Sequence, residues 1–350
     1  MSDFLLADGF GNLADGAHVA ATDRSPLGSQ WTGYAYDFVL IDRSDGRKWL
    51  SVATTGRVGL QSRSLGNAST AAICFRVYRG DATACVFIKL VNAAGTIGWI
   101  GINASGAVTY QNGGYSTLGA NIVATSTDTI PTTTETFVEV RITLGDSAAG
   151  SVSFYMNGVL SNTVSGIDTC YLTGRTALQD IKFGENSESA AQCIIAGWKY
   201  GDIIIHTATS PIGDVGVYYR PGDADGADSD FTPSAGANYQ CADEIGPDGD
   251  TTYNESDGTA GHRDSFETAG VSAMSVLSVG VLFRARKTDT GTATLLLGAA
   301  HGGSEDQSTA KALTEAYLTQ IEFFDVCPST SAAWSAAEVT AAELSYEVGA

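Results

Sequence analysis

Four aspartates, Asp223, Asp225, Asp228 and Asp230, crowd the stretch DADGADSD, and carboxylate oxygens at that density are the hard ligands that Ca2+ takes. Their spacing departs from the EF-hand loop, whose acids alternate ahead of a fixed glycine and end on a glutamate. The stretch therefore reads first as a solvated acidic loop, with a Ca2+ site as the sharper alternative. A second group is Tyr110, Asn112 and Tyr115, set around a QNGG loop. Exposed aromatic rings stack on sugar faces and an amide pairs with hydroxyls, so these three are the candidate glycan-binding residues. Strand aromatics are more often buried, and that is the expectation for Trp31, Trp49 and Trp99.

Other chemistry-bearing residues are dispersed. His18, His206, His262 and His301 form no HExxH motif and read as surface or strand-end histidines. In the run His262-Arg263-Asp264, the expected role is to hold a turn. The six cysteines, Cys74, Cys85, Cys170, Cys193, Cys241 and Cys327, show no CxxC and no metal-ligand spacing, so they are expected to be reduced and buried. A Cys74–Cys85 disulfide requires those two strands to be hairpin partners. Gly95, Gly98 and Gly101 read as strand or turn glycines, because no phosphate-binding helix follows them. No residue is assigned to catalysis and no cofactor is implied beyond the Ca2+ alternative.

The elements that must carry these residues are strands. Short apolar or alternating runs bounded by Gly, Asn, Asp and Ser predict strands over 36–41, 50–54, 71–78, 85–92, 96–103, 107–111, 135–144, 151–156, 159–163, 177–183 and 193–206. That density is the spacing of a β-sandwich. Asn157-Gly158 between SVSFYM and VLSNTV predicts a type I′ hairpin, since both central residues need positive φ. Asn103 to Gly106 predicts a second. TATSPIGD, 207–214, reads as a linker. Beyond it, VSAMSVLSVGVLFRARKT and TATLLLGAA read as core strands, KALTEAYLTQIEFFDVCP as further strands, and 334–344 as a helix capped by Ser335.

The 350 residues carry a net charge of −20, which excludes nucleic acid as a partner because phosphate binding needs a basic surface. Anionic membrane surfaces are disfavoured for the same reason. MSDFLLADGF has neither a basic start nor an apolar core, so synthesis in a cytoplasm without a secretory signal is expected. No apolar run is long enough to span a bilayer, and no membrane insertion is expected.

Two resemblances follow from particular segments. FLLADGFGNLADG with RSPLGSQW, then TFVEVRITLGDSAAGSVSFYMNGVLSNTV, then IIAGWKYGDIIIHTA resembles the concanavalin A-like lectin/glucanase sandwich, including laminin-G-like forms. The Tyr-Arg-Pro start, the Thr-Pro-Ser turn, the Asp-Glu pair, Asp250-Thr251-Thr252-Tyr253 and the Asp-x-Phe ending at Phe266 are similar to a module of minor structural proteins of tailed bacteriophages. Pro328, Trp334, Ser335, Glu338 and Gly349 match the segment that follows it in those proteins.

The implied fold is all-β, with a jelly-roll β-sandwich over 1–208, a linker over 209–217 and a smaller β-rich module over 218–350 ending in a short helix. The implied function is a structural protein of the virion, made in the host cytoplasm, decorating head or tail and assisting host adsorption. Its implied partners are other capsid or tail proteins, further copies of itself and a host-surface glycan. Alternatives are a glycan-binding tail fibre, or a secreted glycan-binding protein or glycosidase. Glucanases of the sandwich family use two strand carboxylates flanking one bond. Here Asp180 and Glu185 are the only such pair near a strand and Lys182 stands between them, so no enzymatic activity is expected.

Overall fold

The computed structural model describes residues 4–8, 18–19, 31–32, 38–42, 47–52, 60–62, 64–113, 121–183, 197–244, 249–272 and 274–350. The described residues divide into two compact units, one within 4–219 and the other within 220–350. Among them, no helix is long and apolar enough to cross a membrane.

The first unit is a β-sandwich. Its nine-stranded sheet runs in the order Val159–Ile167, Gly150–Met156, Glu135–Thr143, Thr70–Tyr78, Lys199–His206, Lys48–Val52, Phe38–Asp42, His18–Val19, and Phe4–Asp8 also pairs with Lys199–His206. The seven-stranded sheet runs Ile122–Thr129, Ala107–Gln111, Gly95–Ile102, Cys85–Asn92, Asp180–Phe183, Leu60–Ser62, Trp31–Thr32. The sheets meet through aromatic rings. Phe75 lies edge-on to Phe87 at 5.0 Å, and Tyr200 reaches Phe87 at 5.2 Å and Phe183 at 5.1 Å. The edge-to-face pairs Phe75–Phe87 and Tyr200–Phe183 add to the burial of large apolar area.

Asn157 and Gly158 take φ of 48° and 79°, as the hairpin signal requires, and the Asn157 side chain also accepts from the Phe137 amide at 2.8 Å. The strand Ile122–Thr129 was not expected. Its sequence IVATSTDT is polar because it is the edge of its sheet. A Cys74–Cys85 disulfide is excluded, since Thr70–Tyr78 and Cys85–Asn92 belong to different sheets and both thiols are free.

Thr70–Tyr78 is buried along almost its whole length. One face, with Ile73, Phe75 and Val77, lines the sandwich interior. The other face is covered by residues 208–217, which include the 209–217 stretch read as a linker and whose Ile212, Val215 and Val217 pack with Phe4 on Ala72, Cys74, Phe137 and Ile204.

The second unit is built on a sheet ordered Gly222–Ser229, Arg263–Thr268, Glu343–Val348, Thr294–His301, Ser304–Gln307, with Lys311–Ala312 also pairing Thr294–His301. Val279–Ala285 pairs with Leu318–Phe324, and their apolar residues bury Phe283, Leu297, Phe324 and Trp334 in one cluster. The acidic stretch expected as a loop is thus an edge strand, bulged between Asp225 and Ser229. The C-terminal helix is shorter than expected, Ala336–Thr340, opened by Ser335 and Glu338 in a full capping box. It stops there because ELSYEV alternates, and Leu344, Tyr346 and Val348 pack on the core as a central strand.

Candidate functional site

Titratable side chains concentrate on the covered face of the nine-stranded sheet. A bulge between Gly201 and Ile204 puts Asp202 at φ 45° and turns its carboxylate onto that face. There Asp202 Oδ2 accepts from Arg47 at 2.6 Å and from Arg76 Nε at 2.8 Å, while Oδ1 accepts from the Val217 amide at 3.0 Å. Arg76 also reaches Asp214 at 2.5 Å, Glu135 at 3.1 Å and the Val215 carbonyl at 2.7 Å. Two strands away Glu139, wholly buried, accepts from Arg141 at 3.0 Å and from the Ile212 amide at 3.0 Å. Arg141 in turn donates to the carbonyls of Ala208 and Ser210. Two carboxylates and two arginines thus fasten residues 208–217 to the sheet.

Cys74 and His206 stand beside Glu139, with His206 Nε2 3.5 Å from Glu139 Oε1 and, among the described residues, no hydrogen-bond partner for either ring nitrogen. Burial alone would raise the Glu139 carboxyl, but His206, Arg141 and the Ile212 amide outweigh it and hold the group below its ordinary value. Burial pushes the Cys74 thiol well up, and Glu139 adds to the shift. This cluster is sealed from solvent and positions the covering segment.

An open feature lies at the loop 168–175. Tyr171 is 41% exposed and Leu172 49%. The loop is held by Asn112, whose Nδ2 donates to the Asp168 carbonyl at 2.8 Å, and by the Tyr171 amide on Ile97 O at 2.8 Å. The Arg175 guanidinium lies 5.9 Å from the Tyr171 ring and donates to Ala94 O at 2.7 Å. Asp146 Oδ2 accepts from the Gly174 amide at 2.9 Å, and Asp146 Oδ1 has no hydrogen-bond partner among the described residues. An exposed ring with a guanidinium beside it, on a loop tied down by Asn112 and Asp146, is the stacking equipment of a sugar site.

Of the residues expected there, Asn112 is present as the loop's anchor and Tyr115 lies outside the described residues. Tyr110 is a correction. It is 0% exposed, its hydroxyl donates to Thr169 O at 2.7 Å, and burial pushes its phenol up, so it offers no face for a sugar. Tyr171 was missed. Its signal in the sequence is an aromatic in a Gly-containing turn, TCYLTG, outside any alternating run.

The four aspartates do not converge. Asp225 accepts from the Tyr239 amide at 2.6 Å, Asp228 pairs with Arg263, Asp230 accepts from the Arg263 amide at 3.0 Å, and Asp223 is exposed on the edge strand. Three of the carboxylates are thus engaged with the protein itself. Asp180 accepts from Gln61 at 3.2 Å and is raised by burial, while Glu185 lies outside the described residues. His262 sits 3.1 Å from Asp257 near the surface, whereas Asp264 is buried.

No family model and no curated protein matches the chain. Solved structures do. An endo-β-1,4-glucuronan lyase from the fungus Trichoderma reesei is 10% identical, with TM-score 0.35, over 55% of this chain and 94% of that one. An alginate lyase is 14% identical, with TM-score 0.40, over 60% and 98%. Domain 4 of an extracellular arabinanase from Geobacillus stearothermophilus, in complex with arabinotriose, is 13% identical, with TM-score 0.37, over 60% and 95%. The expectation of a chain without enzymatic activity is corrected accordingly: polysaccharide lyases stand among its structural neighbours, and it is not assigned to the non-enzymes.

Glu139 is ionised in the folded protein below its ordinary range, so its contribution to stability is complete above pH 4.5 and is lost as pH falls through the depressed folded value. Glu139→Gln is expected to cost about 2 kcal/mol at neutral pH, the worth of a hydrogen bond to a charged group. Denaturant unfolding against pH should show the variant and the parent converging below pH 4.5.

Proposed function

We propose that the chain is a surface protein of a tailed-phage particle, decorating head or tail, whose sandwich binds a host-surface polysaccharide at the Tyr171 loop. The observation that carries this reading is the use the second unit makes of the residues on which the phage resemblance rests. They are scattered over residues 219–266, yet several of them hold one another in place and Asp264 ties that stretch to the C-terminal strand. Thr232-Pro233 pairs with Asn254-Glu255, and Ser234 exchanges hydrogen bonds with Tyr253 at 2.8 and 2.9 Å. Thr252 donates to Glu244 of the Asp-Glu pair. Asp264, wholly buried, accepts from the Phe231 amide at 2.9 Å, Asn238 at 2.7 Å and the Tyr346 hydroxyl at 3.1 Å.

The matching C-terminal residues do the same work. Trp334 Nε1 donates to Phe324 O at 2.9 Å, and Ser335 with Glu338 opens the helix. Framework residues that resemble those of phage modules favour a common scaffold more strongly than surface residues would. The role of that scaffold is attachment to the particle, and repetition on a symmetric lattice favours homo-oligomers. The sandwich supplies the polysaccharide contact, through an exposed ring beside Arg175 on a loop held by Asn112 and Asp146.

Quantitative mass spectrometry of purified particles, intact and tail-less, tests the location. Tens of copies or more that stay with heads indicate capsid decoration, a few copies that leave with tails indicate a fibre, and absence from particles overturns the proposal. For the sandwich, the full chain is screened against bacterial and uronate polysaccharides. Tyr171→Ala is expected to weaken binding about tenfold, the worth of roughly 1.4 kcal/mol from a lost stacking contact. Unchanged binding removes the Tyr171 site, and ultraviolet absorbance of unsaturated uronate in the same mixtures registers eliminative cleavage.

A further inference from the structure

From the second unit we infer a binding site for one borderline divalent transition-metal ion, of the Zn2+ class, formed by His301, Cys327 and Glu338. The three come from separate elements. His301 ends the strand Thr294–His301, just before the Gly302-Gly303 turn, Cys327 follows the strand Leu318–Phe324, and Glu338 lies in the helix Ala336–Thr340. Their donor atoms all lie within 4.8 Å of one another.

The spacing fits a tetrahedral ion. With metal–sulfur near ~2.3 Å and metal–nitrogen near ~2.0 Å, the sulfur–nitrogen edge of the tetrahedron is about 3.5 Å. The observed separation of Cys327 Sγ from His301 Nδ1 is 3.4 Å. Thiolate, imidazole and carboxylate together are a donor set suited to Zn2+ and its neighbours and unsuited to Ca2+ or Mg2+. Three protein ligands leave one position for water.

Each ligand is also positioned from behind. The Cys327 amide donates to Ala332 O at 2.8 Å and its carbonyl accepts from Ser331 at 2.8 Å, which fixes the loop that carries the thiol. Glu338 accepts from the Ser335 amide at 2.7 Å and from the Thr330 hydroxyl at 3.2 Å, which orients the carboxylate. The His301 ring lies edge-on to Trp334 at 6.5 Å. Outer partners of this kind are what hold metal ligands in register. Ser329 is 2.7 Å from His301 Nδ1, too short for two ligands of one ion, so it is a hydrogen-bond partner that yields the nitrogen when metal binds.

Electrostatics separates this cluster from Cys74, Glu139 and His206, the other grouping of ligand-type side chains among the described residues. There Arg141 already neutralises Glu139 at 3.0 Å and would repel a second cation. Among the described residues no ion pair joins Glu338 to a basic side chain, and a Cys327 thiolate with a Glu338 carboxylate balances a divalent charge.

The test uses the full chain, stripped with chelator and titrated with Co2+ as a spectroscopic probe. One equivalent is expected to bind, with a near-ultraviolet thiolate-to-cobalt charge-transfer band and visible bands of four-coordinate intensity, both bleached by Zn2+. Cys327→Ser should abolish the charge-transfer band, and His301→Gln and Glu338→Gln, at sites only partly buried, should each weaken Co2+ binding at least tenfold while keeping the fold by circular dichroism. Cys74→Ser should change none of these. A missing charge-transfer band in the parent, a band that survives Cys327→Ser, or binding unaffected by both His301→Gln and Glu338→Gln would overturn the site, and a band lost in Cys74→Ser would move the ion to the sandwich.

Discussion

Two carboxylates buried on the outer face of one sheet, Asp202 and Glu139, set the terms for the first unit. Each is almost fully removed from water, a costly placement unless cations and amide donors meet it. The chain supplies them from two sources. Arg47, Arg76 and Arg141 come from the sheet or beside it, and the amides of Ile212 and Val217 come from the segment that follows the last strand. The segment can cover the apolar residues Ala72, Phe137 and Ile204 only where those carboxylates receive it. Charge pairing and apolar burial therefore depend on the same ten residues, and the strand Thr70–Tyr78 beneath them is buried on both faces.

This explains what the sequence disclosed and what it concealed. Strands such as Cys85–Asn92 and Ala107–Gln111 were legible to the residue because their apolar runs end sharply at turn residues. The covering role of 208–217 was hidden, because SPIGD has the composition of a linker and its anchors, Asp202 and Glu139, lie remote in sequence or inside a bulge that periodicity does not foresee. The polar strands Ile122–Thr129 and Gly222–Ser229 were missed for a related reason: edge strands with one or both faces wet need no apolar alternation.

The site residues divide along the same line. Tyr110 and Tyr171 are both tyrosines near turns, and residue type alone cannot say which is buried. The informative neighbour is Gly98, where any side chain would strike the Tyr110 hydroxyl, so that the strand GTIGWIGI keeps a glycine to let the ring lie across it. In the second unit, Asp264, Ser335 and Trp334 were singled out by resemblance, and each proves to be a hydrogen-bonding tie of the scaffold. His301, Cys327 and Glu338 were read singly, since only the folded chain brings a strand end, a loop and a one-turn helix together.

The central claim, that residues 208–217 are part of the sandwich and fastened by its buried carboxylates, is tested most directly by amide hydrogen exchange on the full chain. The account predicts that Ile212 and Val217, whose amides donate to Glu139 and Asp202, exchange as slowly as the strand Lys199–His206, and that Asp202→Asn releases Val217. Exchange of both amides at the rate of an unstructured peptide would contradict it.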